Sequence, residues 1–201
     1  MCGSPYYKFS QWVLDILTPV RAILSPYMLN DTFKLLPYLE EINVKNQIIA
    51  SIDISSLFTN IPLNETIEFL CSIIDDEHID VKLPTAILGP LLLTCTKNVI
   101  FQFQGHMYQQ VDGVAMGSPL GPFLAEVFMT YIERKLENTI ASMTLYKRYV
   151  DDILVIAESH EHIRNIVHEF NHVHPNTTAT VELENNDEIP FLDIQIHRRT
   201  D

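Results

Sequence analysis

The chain has 201 residues, 47% of them hydrophobic and 19% charged, a composition that supports one large domain with a real core, or one domain plus a fragment. Its 26 acidic residues outnumber 13 basic ones for a formal charge of −13, and the basic residues run from Lys8 to Arg199 without a block, so on charge alone nucleic acid is an unfavourable partner. No apolar run approaches the roughly 18 residues that span a bilayer, the longest (Ala86 to Cys95) being broken by Gly89 and Pro90, and no leader pattern opens the chain; an intracellular protein without a membrane partner is expected, nucleus and cytoplasm not being distinguished.

The first predicted element is a helix from Ser4 to Leu17, with Pro5 tolerated in its first turn and Phe9, Trp12, Val13 and Ile16 at helical spacing. Pro19, Pro26 and Pro37 cut the next stretch into short pieces. Gln47 to Ile54 reads as a strand with Asp53 at its end. Asn64 is placed to cap a helix whose apolar stripe is Ile67, Leu70, Cys71 and Ile74 and which closes in the acidic turn Asp75-Asp76-Glu77. A second apolar helix runs from Pro84 to Lys97, and Val99 to Gln104 and Met107 to Val111 form a hairpin around Gly105 and His106. The glycine-rich segment Gly113 to Gly121 opens a helix over Pro122 to Leu136, apolar on much of its surface and therefore central. Leu145 to Val150 and Ile153 to Ala157 form a second hairpin, followed by a surface helix over His160 to Val173 with Ile163, Ile166, Val167 and Phe170 on one face. Two alternating strands, Thr178 to Leu183 and Phe191 to Ile196, are joined by the Asn185-Asn186-Asp187 turn. Hairpins in place of regular βαβ units indicate an α+β fold around an antiparallel sheet. Cys2, Cys71 and Cys95 are odd in number and form no CxxC pair, so reduced thiols are expected, two of them in helix cores.

The second hairpin carries the chemistry. With the strands as read, Asp151 and Asp152 form its two-residue loop, a position that favours Asn-Gly or Asp-Gly. Adjacent carboxylates repel, and such a pair persists most readily beside a cation; hard oxygen donors without His or Cys point to magnesium or manganese. A solvated acidic hairpin tip is the alternative. Asp53, where an apolar strand emerges, is either a strand-end cap or a third ligand. Three carboxylates from two strand ends could hold two divalent ions about 4 Å apart, the arrangement of in-line phosphoryl or nucleotidyl transfer. Gln110 to Pro122 contains Gly113, Gly117 and Gly121, which permit close approach of a ligand or a neighbouring strand, yet it has neither the Gly-Lys-Ser/Thr of a Walker loop nor GxGxxG spacing. Met116 either packs against a base or fills the core. Lys147 and Arg148 either touch a nucleic-acid backbone or are strand-edge charges. His168 and His172, spaced i, i+4, lie opposite the apolar stripe of their helix and belong to a solvated face. Arg198 and Arg199 read as a truncated edge.

Four segments in order, SIDISSLFTNIP (51–62), QVDGVAMGSPLGPFLAE (110–126), YVDD (149–152) and IPFLDIQI (189–196), resemble the reverse transcriptases, and most closely those of Penelope-like retroelements. The resemblance covers about Gly3 to Arg198. It implies a polymerase palm-like antiparallel sheet packed with helices plus partial fingers, the whole of 1–201 being one truncated reverse transcriptase domain. Asp53, Asp151 and Asp152 match the metal-binding catalytic carboxylates, with two Mg2+ ions implied and Mn2+ as a substitute. Phe58 matches the steric gate that excludes a 2′-hydroxyl. Gln110, Gly113, Met116, Gly117, Ser118 and Pro119 match the motif along the incoming nucleotide and template base, and Tyr149 the aromatic near the primer end. Asp193 matches a structural position. Implied partners of the parent enzyme are an RNA template, a DNA primer and deoxynucleoside triphosphates, with the oligomeric state open. The resemblance further implies that the chain begins after the family's basic fingers segment and ends before a thumb or GIY-YIG endonuclease, which would offer a reason for the acidic balance. Two rivals follow: a catalytically inactive palm remnant acting at most as a binding module, and a different two-metal phosphoryl transferase of nucleotide-cyclase type, which Phe58 and the Gln110 to Pro122 motif disfavour.

Overall fold

The computed structural model describes residues 5–97 and 99–199. In chain order the helices are α1 (Pro5–Ile16), α2 (Leu36–Glu41), α3 (Leu57–Asn60), α4 (Leu63–Asp76), α5 (Thr85–Thr96), α6 (Gly121–Lys135), α7 (Glu137–Ala141) and α8 (His160–Val173). The strands are β1 (Ile48–Ile54), β2 (Ile100–Phe103), β3 (His106–Gln109), β4 (Leu145–Tyr149), β5 (Asp152–Ala157), β6 (Ala179–Leu183), β7 (Glu188–Phe191) and β8 (Ile194–His197). Short 3-10 turns at Thr18–Ile23 and Thr32–Lys34 occupy the proline-cut stretch. The mixed helical and antiparallel architecture matches the α+β expectation. The chain divides into two compact units, one formed by the residues up to Ser25 with Ser56–Tyr131, the other by Pro26–Ser55 with the residues from Ile132 on.

The first unit is built mainly of helices. Its core comes from Val13 and Leu17 of the N-terminal region, Ile67, Leu70, Ile73 and Ile74 of α4, Leu88, Leu92 and Cys95 of α5, and a run of α6 from Phe123 to Thr130 that is buried without interruption. That run explains why α6 lacks a polar face: it is the central helix, as its composition predicted. On α1 the buried face is Ser10 and Val13, continued by Leu17 just beyond the helix and rotated from the expected stripe; Phe9 and Trp12 are exposed and stack on each other at 5.5 Å. Helix α4 is not capped by Asn64. Its N-cap is Pro62, which has no side-chain donor or acceptor, and Asn64 instead accepts from Lys97 at 2.9 Å. The remote Asp112 serves the α4 terminus, accepting from the Leu63 amide at 3.2 Å and from the Gly113 amide at 2.9 Å. A proline N-cap leaves orphan amides, and a carboxylate satisfies one of them while sitting at the positive end of the helix dipole. The β2–β3 hairpin forms as expected, every residue of both strands being exposed.

In the second unit β4, β5, β1 and β6 form one antiparallel sheet in that spatial order. β1 is central, pairing with β5 from Ile48↔Ala157 to Asp53↔Asp152 and with β6 from Ala50↔Leu183 to Ile54↔Ala179. One face of the sheet carries Ile49, Leu145, Leu154 and Ile156, which pack with Leu29, Leu35, Ile189 and Phe191 into a core cluster. Helix α8 buries Ile163, Ile166 and Phe170 and is capped by Ser159, whose hydroxyl accepts from the His162 amide. Two expectations need correction. The strand expected over Phe191 to Ile196 is interrupted at Leu192, which has φ 52°, so β7 and β8 form their own hairpin and neither pairs with β6. Arg198, read as part of a truncated edge, is tied into the fold: its guanidinium donates to both Glu184 carboxylate oxygens, to the Val44 carbonyl at 2.6 Å and to the Gln47 carbonyl, fastening the end of β8 to the entry of β1. Cys95 is buried and Cys71 partly so, both as free thiols, while Cys2 lies outside the described residues. No described helix is long and apolar enough to cross a membrane.

Candidate functional site

The β4–β5 turn departs from the expected register by one residue. Tyr149 pairs with Asp152, so the two-residue loop is Val150-Asp151 and Asp152 is the first residue of β5. Val150 has φ 56°, a left-handed conformation at the position where a II′-type turn favours glycine, and one that a β-branched residue adopts only when its surroundings enforce it. The shift has a chemical result. Asp152 comes directly opposite Asp53 on β1, so a row Thr180, Asp53, Asp152, Tyr149 crosses all four strands on one face. Directly opposed residues have Cβ atoms about 4.5–5.5 Å apart, and like charges in that relation are destabilising. The amide of Ile54 donates to the Asp151 carbonyl at 3.0 Å, bringing the turn beside the end of β1. Burial pushes the Asp151 carboxyl up, its own backbone amide draws it down, and the Asp53 charge pushes it up again. Burial, then Asp151, then Asp53 push Asp152 up. Asp53 itself is exposed, with the Ser55 hydroxyl 3.4 Å from one oxygen. Among the described residues no three His, Cys, Asp or Glu side chains are gathered closely enough to hold an ion as they stand.

The first unit brings Phe58 together with the glycine-rich segment. Its carbonyl accepts from the Val114 amide at 2.7 Å, and its ring lies against Gly121, where an added Cβ would stand 3.5 Å from Cε1. Gly113, at φ 75°, passes so close to α3 that a Cβ would lie 2.4 Å from the Thr59 carbonyl oxygen. Gly117 needs its flexibility for another reason: at φ 84° it is the third residue of a type II-like turn closed by the Ser118 amide on the Ala115 carbonyl at 3.0 Å, in open space. Met116, beside it, is 79% exposed, which removes the core-filling alternative. Ser118 is buried and Pro119 partly so. The Gln110 side chain donates to the Asp112 carbonyl at 2.9 Å, within the loop that serves α4.

A family model for reverse transcriptase (RNA-dependent DNA polymerase) matches residues 7–184. The chain belongs to this family. No curated protein matches it. Among solved structures it resembles a Candida tropicalis telomerase truncated from its C-terminal domain (TM-score 0.65, 13% identity, covering 96% of this chain and 43% of that one). It also resembles telomerase from Candida albicans in complex with the TWJ fragment of telomeric RNA (TM-score 0.67, 12% identity, 94% and 37%) and the BmCPV RNA-dependent RNA polymerase at elongation state (TM-score 0.52, 14% identity, 96% and 19%). At these identities the likeness is one of fold, and the chain spans less than half the length of the structures it matches.

Within this reverse transcriptase fold, the flanks of the YVDD segment behave differently from expectation. Lys147 lies over the Tyr38 ring at 4.2 Å, while Arg148 is a core residue, 1% exposed and bonded to Glu133, and so neither an edge charge nor a contact for nucleic acid. His168 and His172 are exposed, their rings 4.0 Å apart. Sequence reasoning missed Thr180, Glu133 and Asp112. Thr180 joins the acidic row only through the β1–β6 register, which strand alternation alone does not specify. Glu133 stands in the charged last turn of α6, beside Arg134 and Lys135, where nothing in the sequence marks it as buried.

Proposed function

We propose that this chain is the palm-bearing part of a retroelement reverse transcriptase, related to the Penelope-like group, which adds deoxynucleotides to a primer 3′-hydroxyl opposite an RNA template. The observation that carries the reading is the cross-strand opposition of Asp53 and Asp152 with Asp151 in the adjoining turn. Hard oxygen donors set side by side at a cost in repulsion fit divalent cations. Asp53, Asp151 and Asp152 would hold them, with Mg2+ the natural occupant and Mn2+ a substitute. Bound there, such ions supply acidification of the attacking hydroxyl and charge neutralisation on the triphosphate. The chain's own groups do the rest: Phe58 excludes a 2′-hydroxyl, the exposed Met116-Gly117 turn offers a surface to the nascent base pair, and Tyr149 flanks the primer end. The unit containing β1, β4 and β5 is assigned as palm, the other as partial fingers.

Primer extension on poly(rA) with an oligo(dT) primer, dTTP and Mg2+ tests the reading directly. Incorporation by the wild-type chain that disappears in Asp151→Asn supports it. Absence of incorporation, together with no binding of Mn2+ that depends on Asp53, would instead favour a catalytically inactive palm remnant, the reading suggested by three carboxylates not gathered around one point and by the net charge of −13.

A further inference from the structure

Behind the acidic row lies a buried polar group that the proposed chemistry does not use. Strand alternation turns Arg148 to the face opposite Tyr149, Asp152 and Asp53. There its Nε donates to Glu133 Oε1 at 2.7 Å and its Nη2 to Oε2 at 3.2 Å, while the Tyr146 hydroxyl donates to Oε1 at 3.0 Å. The remaining edge of the guanidinium points at the turn: Nη1 donates to the Val150 carbonyl at 3.1 Å. Arg148 is itself tied down by its backbone, its amide donating to the Tyr27 carbonyl at 2.9 Å and its carbonyl accepting from the Leu29 amide at 2.6 Å.

Stability alone is a weak reason for such an arrangement, because desolvating two charges offsets most of their attraction and apolar replacements of similar volume are often as stable. Geometry is a better one. A planar guanidinium can hold a carboxylate and a carbonyl at once in fixed directions, which an ammonium cannot. A left-handed valine persists only where its neighbours over-determine it. Here the carbonyls of both loop residues are held, Val150 by Arg148 and Asp151 by the Ile54 amide.

We infer that Arg148, anchored by Glu133, is a positioning residue that locks the Val150-Asp151 turn in its left-handed form and thereby aims the Asp151 and Asp152 carboxylates. The catalytic consequence rests on the polymerase reading; the locking of the turn does not.

The test compares the wild-type chain with Glu133→Leu/Arg148→Met, an apolar pair that removes the fork without leaving a buried charge, and with Arg148→Lys. Amide hydrogen exchange at Ile54, which reports its bond to the Asp151 carbonyl, is expected to accelerate by about tenfold or more in the folded double variant, with Ile52 and the other central sheet amides unchanged. In primer extension kcat is expected to fall by about tenfold or more with KM for dTTP within about twofold, Arg148→Lys recovering only part of the loss. Unchanged Ile54 protection in a folded double variant overturns the lock, and wild-type kcat in that variant overturns its catalytic consequence. If Ile54 protection is lost yet the wild-type chain neither extends a primer nor binds Mn2+, the lock stands and the polymerase reading falls. Should the double variant not fold, Arg148→Lys carries the same exchange test, and wild-type protection at Ile54 in it overturns the lock.

Discussion

At the scale of single residues, the directly opposed charges of the acidic row cost stability. Asp151 and Asp152 hold their protons more tightly in the folded chain than in an unfolded one, since burial and neighbouring charge raise both. The folded state therefore binds more protons than the unfolded state in the window just above the ordinary carboxylate range, and stability falls as pH rises through it. Asp152→Asn should flatten that slope and, in metal-free buffer at neutral pH, raise stability by up to about 1 kcal/mol, or about 3 °C in Tm, while abolishing extension. Urea denaturation across pH 4 to 7, about three units, reads both effects. Val150 offers a second case. Its left-handed conformation costs roughly 1–2 kcal/mol and glycine restores roughly 0.5–1 kcal/mol of unfolded-state entropy, so Val150→Gly is expected to stabilise by about 0.5–1 kcal/mol in the same measurement.

At the scale of elements, glycine positions that look alike in sequence are separated by their surroundings. Gly113→Ala drives a methyl into the Thr59 carbonyl at a positive φ and should cost about 3 kcal/mol or more, whereas Gly117→Ala meets only the conformational penalty of about 1 kcal/mol. Thermal unfolding of the two variants distinguishes them. Most elements were legible because their periodicity is strong: α8, α5 and the β2–β3 hairpin fall within a residue or two of expectation. What was not legible was register. The strand-like runs Leu145 to Val150 and Ile153 to Ala157 leave Asp151-Asp152 between them as the loop, but tertiary hydrogen bonds at Arg148 and Ile54 impose the turn on valine and put Asp152 into the sheet. The break at Leu192 was hidden in the same way, an apolar residue occupying a left-handed position that composition assigns to Gly or Asn. Asp53, Asp151 and Asp152 stand out together in the sequence as carboxylates at strand ends; that Asp53 opposes Asp152 rather than Asp151 required the pairing.

At the scale of the whole molecule, the proposed cation site would make stability a function of divalent cation. A ligand at ten times its Kd that binds only the folded chain adds about 1.4 kcal/mol, about 3–4 °C in Tm. Titration with Mg2+ or Mn2+ should produce that rise in the wild-type chain and abolish it in Asp53→Asn, and chelation with EDTA should reverse it. Family membership could be read from four short segments, because each carries a turn or strand end whose chemistry is restrictive; the division into two units could not, since it depends on which distant segments pack together. The position of β1 at the centre of its sheet has a kinetic corollary. Both of its neighbours, β5 and β6, lie about a hundred residues or more further along the chain, so during synthesis this apolar strand must wait unpaired until the later strands have been made. Nascent chains halted before β5 are thus expected to be the species most prone to aggregate or to engage chaperones, with Asp53 the only charge on that strand to oppose it.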